Sequence, residues 1–348
     1  MTAGRKAFEI DGIAIEPGKH ETVNLPFGQL ANHTPVTLPV RIFHGRRDGP
    51  VLFISAAVHG DEIIGVEIIR RLLKSPVLRG VRGTLITVPI VNAFGFINHS
   101  RYLPDRRDLN RSFPGSPNGS LAAQLAHLFM TQIVQRSDFG IDLHSAAIHR
   151  SNLPQIRVSP DCNKAEELAL AFSPPVIVKA GLREGSLRAT ALEAGVEMLL
   201  YEAGEGLRFD EIAVRAGVSG ILRVMKALDM ISTSRVKDSR VKPHLSQRSS
   251  WTRAPASGVF RALRTTGDMV EAGEAIGVIS DPFGAFEEEV LARFGGLVIG
   301  RAVLPVVNQG DALLHIAEVD QSKGSETRIE RNEQELQADP LLDEDEII

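Results

Sequence analysis

The sequence is poor in cysteine, in aromatic residues and in long apolar runs, and these shortages exclude several classes of protein. A single cysteine, Cys162, excludes an internal disulfide and a zinc site built from thiolates. No segment approaches the ~18 apolar residues of a membrane-spanning helix, and the N-terminus lacks an apolar core of signal-peptide length. We therefore expect a soluble, cytoplasmic protein without a membrane partner.

The sequence also lacks the basic excess that polyanion-binding proteins carry. Its 39 Lys and Arg residues stand against 43 Asp and Glu residues, which gives a net charge of −4. Nucleic acid is therefore not expected as a partner. Residues 321–348 contain nine acidic and three basic residues and few apolar ones, which predicts a disordered acidic tail.

What is present, between residues 35 and 230, is an alternation of strand-like and helix-like segments. The predicted strands are 35–45, 51–57, 84–91, 139–143, 155–159, 175–179 and 196–201. The predicted helices are 61–74, 120–135, 163–172, 186–194 and 210–229. This alternation predicts an α/β fold, with a mixed, mostly parallel sheet covered by helices on both faces.

The character of the sequence changes after Met230, which divides the chain into predicted regions. Residues 1–230 are expected to form the catalytic domain, with residues 1–34 as a short N-terminal β extension. Residues 231–250 are rich in Ser, Lys and Arg without apolar periodicity, and they are interpreted as a connector. Residues 251–320 show short strand patterns between Gly turns, which predicts a small all-β domain.

A candidate metal site begins with His59 and Glu62, which directly follow the apolar run Val51–Ala57. A His-x-x-Glu pair is weak evidence by itself, because most such pairs decorate a surface. Here it follows a buried strand, and His144 ends a second buried run far along the chain. Two imidazoles and one carboxylate are the ligand set of a catalytic zinc site, which keeps one position open for water. Ligands at the ends of neighbouring strands can meet at one sheet edge.

Asp142 lies two residues before His144, within the same apolar run. A carboxylate at this spacing can accept the second ring N–H of a ligating histidine and so fix its tautomer. The alternative is that Asp142 only ends a strand or caps a turn.

Two further segments carry candidate chemistry. An arginine-rich loop contains Asn110 and Arg111. An amide beside a guanidinium can bind a substrate carboxylate. The alternative is that the loop is only exposed to solvent, as most arginine-rich loops are. Glu202 ends the apolar run 196–201, and a buried glutamate is costly unless it is a ligand, a base or an ion-pair partner. Glu205 is the competing candidate, expected to be exposed among glycines.

Together these residues resemble the succinylglutamate desuccinylase/aspartoacylase family, within the wider zinc carboxypeptidase-like group. The resemblance spans roughly residues 35–230, in the expected order. Its motifs are His59-Gly-Asp-Glu62, Asp108-Leu-Asn-Arg111 with Phe113-Pro-Gly115, Asp142-Leu-His144 and Tyr201-Glu202.

The resemblance implies one Zn²⁺ per chain, bound by His59, Glu62 and His144. It implies that Glu202 is the base that activates water and that Arg101 polarises the scissile carbonyl. It also implies that Asn110 and Arg111 hold the substrate's α-carboxylate. The expected activity is removal of a short acyl group from a small N-acylated amino acid.

The C-terminal β domain is similar to biotinyl/lipoyl carrier modules, which also occur in members of this family. It departs from a working carrier because no lysine occurs between residues 243 and 322, so nothing there can be biotinylated or lipoylated. We expect a scaffold, a lid or an oligomer contact instead, and the sequence allows a homo-oligomer without requiring one.

Two other functions stay open at the level of sequence. A metallocarboxypeptidase that acts on small peptides would use the same ligands, and a non-catalytic metal-binding scaffold could retain them. The sequence does not identify the acyl group or the amino acid. Arg106 and Arg107 are candidates for binding an acidic substrate, and both could equally face solvent.

Overall fold

The computed structural model describes residues 5–29, 32–160, 162–232, 236–320 and 325–339. The strands of the first part of the chain are β1 (Phe8–Ile10), β2 (Ile13–Ile15), β3 (Lys19–Gln29), β4 (Pro35–His44), β5 (Val51–Ala56), β6 (Thr84–Val88), β7 (Phe139–His144), β8 (Arg150–Val158), β9 (Val176–Lys179) and β10 (Glu197–Gly204). The later strands are β11 (His244–Ser246), β12 (Ser249–Arg253), β13 (Gly258–Ala262), β14 (Met269–Val270), β15 (Ala275–Ser280), β16 (Glu287–Leu291), β17 (Gly296–Ala302), β18 (Val306–Val307) and β19 (Ala312–Ala317).

The helices follow the apolar periodicity of the sequence. They are α1 (Ile64–Lys74), α2 (Ala93–Ile97), α3 (Leu121–Gln132), α4 (Asn163–Phe172), α5 (Leu187–Glu193), α6 (Glu211–Ala227) and α7 (Ser325–Gln337), with short 3₁₀ turns at Pro76–Gly80, Leu109–Arg111 and Val134–Arg136. Ser120 caps α3 by accepting a hydrogen bond from the backbone N–H of Ala123. None of the helices in the described ranges has the length and apolar character needed to cross a membrane.

The large sheet is mixed, as predicted, and its centre is parallel. Strands β6, β5, β7 and β10 run parallel to one another in that order. The outer strands β8 and β4 join this centre antiparallel. Residues of β5 alternate between two cores, because Leu52 and Ile54 pack on one face of the sheet and Phe53 packs on the other.

Helices cover both faces of this sheet. One core contains residues of α1, α4 and α6, and the other contains residues of α3 and α5 together with the β1–β2 hairpin. The mixed α/β fold predicted from the sequence is therefore confirmed. The predicted helix 61–74 is shorter than expected, because α1 begins at Ile64 and the residues that precede it form a loop.

The C-terminal strands continue the large sheet. Strand β17 pairs with β8, β19 pairs with β17, and β12 pairs with β19, all antiparallel. Strands β13, β15, β16 and β18 form a separate antiparallel sheet. Residues 236–320, all described, contain strands and turns but no helix.

Two segments differ from expectation. The segment interpreted as a connector, 231–250, contains β11, which pairs in parallel with β9 and extends the sheet.

The acidic tail was predicted to be disordered, whereas α7 forms within it and packs against α6. The physical reason is that Ile329 and Leu336 supply an apolar stripe that the low overall apolar content conceals. The rest of the predicted tail, residues 321–324 and 340–348, lies outside the described residues.

Candidate active site

The candidate site lies at the carboxyl ends of the parallel strands β5, β7 and β10, where open α/β sheets place their ligands. His59 and Glu62 lie in the loop between β5 and α1, His144 ends β7, and Glu202 lies near the end of β10. Glu202 and His144 are register partners on adjacent strands. The sheet therefore brings together residues that are far apart in sequence.

The loop after β5 is shaped by its backbone. Ala57 has a φ of +51°, an uncommon conformation for a residue with a side chain, and it turns the chain out of the strand. Gly60 packs against the backbone of α2, where a Cβ atom would lie 2.0 Å from the carbonyl carbon of Gly95. Only glycine fits there, so His59 and Glu62 are held between the strand and α2.

Three buried side chains converge on one point. Nδ1 of His59 lies 2.7 Å from Oε1 of Glu62, and Nδ1 of His144 lies 2.7 Å from Oε2 of the same carboxylate. One potential ligand atom from each residue lies within 4.8 Å of the other two. The described part of the chain therefore contains a buried His-Glu-His group that could hold a metal ion.

Each imidazole is oriented by a carboxylate on its opposite nitrogen. Nε2 of His144 lies 2.6 Å from Oδ2 of Asp142, and Nε2 of His59 lies 3.1 Å from Oδ1 of Asp108. Each Nε2–H can donate to its carboxylate, which leaves both Nδ1 lone pairs directed at Glu62. Asp142 lies within β7, fully buried, and also accepts a hydrogen bond from the hydroxyl of Ser55 at 2.7 Å.

The charges of this cluster depend on one another. Burial alone would raise the pKa of Glu62, but His59 and His144 hold that pKa well below its ordinary value. Burial alone would lower the pKa of His144, but Asp142 and Glu62 raise it well above the ordinary value. Binding of a metal ion to this cluster should therefore release protons, because a metal ion binds imidazoles in their deprotonated form.

The donor set fits Zn²⁺. Two imidazole nitrogens and a carboxylate oxygen are the types of ligand found at catalytic zinc sites, and these three lie buried beside an open cavity. Carboxylates on the outer imidazole nitrogens are the usual second partners of zinc-bound histidines. The residues present are therefore those that such a site requires.

The arginine-rich loop reaches this site through Asp108. Its carboxylate accepts hydrogen bonds from Nη2 of Arg101 at 2.9 Å and from the backbone N–H of Asn110 at 2.8 Å, besides its contact with His59. Arg101 also donates to Oε1 of Glu62 at 3.1 Å. Asp108 belongs to a motif recognised in the sequence, but its contacts with both His59 and Arg101 were not predicted.

The predicted substrate-binding residues line a common cavity with the His-Glu-His group. This cavity has a volume of about 1140 Å³, and both Asn110 and Arg111 face it. Oδ1 of Asn110 accepts a hydrogen bond from the backbone N–H of Leu187 at 2.8 Å. By contrast, Arg106 and Arg107 are exposed and are not among the described residues that line the cavity.

Glu202 also lines the cavity and is held from two sides. Nδ2 of Asn152 donates to Oε2 of Glu202 at 2.7 Å, and Nη1 of Arg157 lies 3.6 Å from Oε1. The competing glutamate, Glu205, instead contacts the backbone N–H of His149 and the side chain of Arg208.

Several residues of the cavity were missed by reasoning from sequence. Arg157 could have been noticed as a charged residue inside an apolar strand, whereas no local signal marked Arg188. His315, which no sequence motif marked, also lines the cavity and stacks on Trp251. These two rings belong to β12 and β19, so the C-terminal strands form part of the cavity wall.

Comparison with known proteins gives matches over most of the chain. The model of the succinylglutamate desuccinylase/aspartoacylase catalytic domain matches residues 48–228. The N-alpha-acetyl-L-2,4-diaminobutyric acid deacetylase of Halomonas elongata is 28% identical over 330 residues, which cover 91% of this chain and 95% of the relative.

Solved structures share the fold. A succinylglutamate desuccinylase/aspartoacylase from Rhodobacter sphaeroides is 26% identical, covers 87% of this chain and 96% of its own, and superposes with a TM-score of 0.77. The product-bound ectoine utilization protein EutE (DoeB) from Ruegeria pomeroyi is 22% identical, covers 91% of this chain and 99% of its own, and has a TM-score of 0.78.

Proposed function

Because the chain belongs to the succinylglutamate desuccinylase/aspartoacylase family, we propose that it is a zinc-dependent deacylase. Its substrate is an N-acylated amino acid, and its products are a short carboxylic acid and the free amino acid. The observation that carries this proposal is the placement of Glu202 beside the convergent His59, Glu62 and His144. A base next to a cation site is what hydrolysis of an unactivated amide requires.

In this proposal, one Zn²⁺ is held by His59, Glu62 and His144. When bound, the ion supplies a Lewis acid for the amide carbonyl and lowers the pKa of the attacking water towards ~7. Asp142 and Asp108 keep the two imidazoles in the tautomer that directs Nδ1 inward.

Asn110 and Arg111 hold the α-carboxylate of the substrate. The guanidinium of Arg111 can form two parallel hydrogen bonds with a carboxylate, and Nδ2 of Asn110 supplies a further donor. Leu187 fixes the orientation of the Asn110 amide through its oxygen. This clamp orients the substrate so that its scissile amide lies between the metal ligands and Glu202.

Glu202 moves the proton. Its Oε1 accepts a proton from the attacking water as the water oxygen bonds to the acyl carbon, and it returns this proton to the amide nitrogen as the C–N bond breaks. Asn152 positions the carboxylate by donating to Oε2. Arg101 keeps N–H groups beyond those bound to Glu62 and Asp108, and these stabilise the negative charge that develops on the carbonyl oxygen.

The relatives support deacylation of an amino acid. The Halomonas elongata protein is a deacetylase of an acetylated diamino acid, and it matches this chain along almost its whole length. The predicted metal ligands do not by themselves identify the acyl group or the amino acid of this chain's substrate.

The proposal is tested with Glu202→Gln and His144→Ala in the zinc-loaded protein. Glu202→Gln should retain zinc and lose about 10²–10⁴-fold in kcat, because it keeps the shape of the side chain but cannot accept the proton. His144→Ala should lose zinc. Metal content is measured by atomic emission, and turnover is measured on a panel of N-acyl amino acids and dipeptides.

Three results would contradict this proposal. Turnover by Glu202→Gln close to that of the wild type would exclude its role as the base. Preferential cleavage of dipeptides would identify a metallocarboxypeptidase. A protein purified without chelators that contains no zinc and cleaves nothing would be a scaffold. Arg79→Gln, an exposed change outside the cavity, serves as the control variant.

A further inference from the structure

Asn152 holds the carboxylate of the proposed base from the neighbouring strand. Its Nδ2 donates a hydrogen bond to Oε2 of Glu202 at 2.7 Å, and Asn152 itself is only 7% exposed. Hydrogen bonds to an ionised carboxylate are roughly twice as strong as those between neutral groups. This bond therefore restricts rotation of the Glu202 carboxylate and favours Oε1 as the oxygen that accepts the proton.

A β-bulge in β8 brings Asn152 to the face of the sheet on which Glu202 lies. Glu202 is paired with Gln155, and Gly204 is paired with Asn152, so a step of two residues on β10 faces a step of three on β8. In a regular strand, residues three apart point to opposite faces. The extra residue in β8 cancels this alternation, which explains how Asn152 reaches Glu202.

The C-terminal strand β17 lies against the other side of Asn152. Gly300 of β17 is the register partner of Asn152 on β8 and of His315 on β19. A Cβ atom on Gly300 would lie 2.7 Å from Oδ1 of Asn152 and 3.4 Å from Cβ of His315. The absence of a side chain at Gly300 therefore leaves the room that the Asn152 amide needs in order to donate to Glu202.

A second buried amide joins β17 to β8 at the same place. Gln155, the fully buried register partner of Glu202, donates from Nε2 to the backbone carbonyl of Ile299 at 3.1 Å. Ile299 directly precedes Gly300 in β17. This bond and the strand ladder fix the backbone of β17 beside β8, so the space around the Asn152 amide is set by the C-terminal strands.

We propose that Asn152 is a positioning residue for Glu202, and that β17 holds Asn152 in place through Gly300. The C-terminal strands then contribute to the proton transfer besides forming part of the cavity wall. This inference rests on the proposed function and gives the C-terminal strands a part in it. Asn152 also lines the cavity, so direct binding of the substrate is the alternative that the experiments must separate.

The first experiment measures kcat and KM of the zinc-loaded protein on the N-acyl amino acid that the wild type cleaves fastest. Asn152→Ala should lower kcat by about 10–100-fold and change KM by less than about threefold, because Glu202 loses a charge-assisted hydrogen bond and its orientation. In the Glu202→Gln background, the same change should lower kcat by less than about twofold, since no base is left to position. Asn308→Ala, at an exposed asparagine of the C-terminal strands, is the control.

The second experiment reaches Glu202 from β17. Gly300→Ala should lower kcat by about tenfold or more, because the added methyl group displaces the Asn152 amide. The fold should be kept, since the closest atom is the end of a side chain. The double variant Asn152→Ala/Gly300→Ala should be no slower than Asn152→Ala, because the smaller side chain leaves room for the methyl group. Gly80→Ala, where no atom lies within 4 Å of the added Cβ, is the control.

The third experiment tests the same contact without hydrolysis. Asn152→Asp places a second carboxylate beside Glu202, so it should lower the midpoint of urea denaturation at pH 7. In the Glu202→Gln background, the new carboxylate can accept a hydrogen bond from the Gln amide, and the midpoint should change little. Zinc content and circular dichroism verify that each variant is folded.

The outcomes separate this inference from the proposed function. An equal loss of kcat from Asn152→Ala in both backgrounds, a rise in KM without a fall in kcat, or wild-type turnover by Gly300→Ala overturns the inference alone. Coupling of Asn152 to Glu202 in the urea midpoints, without hydrolysis of any N-acyl amino acid, supports the positioning contact and overturns deacylation. Neither coupling nor hydrolysis overturns both.

Discussion

At the scale of single residues, the site is organised by carboxylates that do not themselves face the proposed zinc ion. Asp142 and Asp108 each hold the outer nitrogen of one imidazole, and Asp108 also holds Arg101. This arrangement makes the Nδ1 lone pair of each histidine available to bind a metal ion. Orientation of the ligands before binding reduces the entropy that is lost when the metal ion is captured.

Asp142→Ala should weaken zinc binding by about 10–100-fold, because His144 would lose the partner that fixes its tautomer and ring orientation. Affinity is measured by competition with a chromophoric chelator at constant pH. Asp48→Asn, which changes an exposed carboxylate near Arg5, is the matched control and should bind zinc normally. Unchanged affinity in Asp142→Ala would show that the contact seen at 2.6 Å does not support the ligand.

The residue scale also shows what local sequence can and cannot reveal. His59, Glu62 and Asp142 lie in short motifs beside buried strands, so the sequence alone was enough to predict them as residues of a metal site. Arg188 carries no such mark, because it lies on a short helix whose pattern is that of any amphipathic segment. Its Nη1 is buried without a hydrogen-bond partner among the described residues, and this is a property of the folded molecule.

At the scale of elements, α1 and α6 are joined by a charged network beside their apolar contact. Arg71 donates from Nε to Glu67 at 2.7 Å and from Nη2 to Glu211 at 2.8 Å. Arg70 and then Arg71 lower the pKa of Glu67 despite its burial. Arg71 thus links a carboxylate on its own helix with one on α6.

Arg71→Gln should lower the free energy of unfolding by about 1–2 kcal/mol at pH 7. A carboxylate whose pKa is lowered by folding contributes stability above its unfolded pKa of about 4.3, and this contribution is lost as the pH falls through the folded value. The difference between variant and wild type should therefore shrink below about pH 4. Urea denaturation at pH 7 and pH 3.5 measures it, and Lys74→Gln, exposed on the same helix, is the control.

Two outcomes would contradict this reading of the network. Equal free energies of unfolding for Arg71→Gln and the wild type at pH 7 would mean that the ion pairs of Arg71 do not stabilise the fold. A difference that is the same at both pH values would mean that Arg71 acts through packing of its aliphatic stem instead of its charge.

Most elements were predictable from sequence because their signals are local. The helices α4 and α6 and the strands β5 and β7 follow apolar periodicity closely, and their observed bounds lie within a few residues of those expected. The helix α7 was not predicted, because a few apolar residues in a charged segment become a stripe only when α6 is there to cover them. Strand β11 escaped prediction for a similar reason, since its partner β9 is remote in sequence.

At the scale of the whole molecule, the central α/β sheet and the C-terminal strands form one continuous structure. Ile299 and Leu297 of β17 are buried with Leu153 of β8 and Val176 of β9 in one apolar cluster. The single tryptophan, Trp251, lies on β12 and stacks on His315 in the cavity wall. Loss of the C-terminal strands would therefore open both the sheet edge and the cavity.

We expect the two parts of the chain to unfold in one transition, because they share a ladder of hydrogen bonds and an apolar cluster. Fluorescence of Trp251 reports on the C-terminal strands, and far-ultraviolet circular dichroism is dominated by the helices of the remainder. Both signals should change at the same urea concentration. Ile299→Ala should shift both midpoints together, with a loss of about 2–5 kcal/mol.

Separate midpoints for the two probes would instead establish residues 251–320 as an independent domain, as the composition of the sequence suggests. Val259→Ala, an exposed position on the separate sheet, is the control and should leave both midpoints nearly unchanged.

The sequence alone determined the α/β fold, the family and the motifs that carry the proposed chemistry, because periodicity and short motifs are encoded by residues close together in the chain. Only the tertiary structure decided that the C-terminal strands complete the cavity, and that Arg157 lies beside Glu202 in its wall. The physical reason is that burial and charge balance depend on neighbours in space. The surroundings of the proposed base are therefore visible only in the folded molecule.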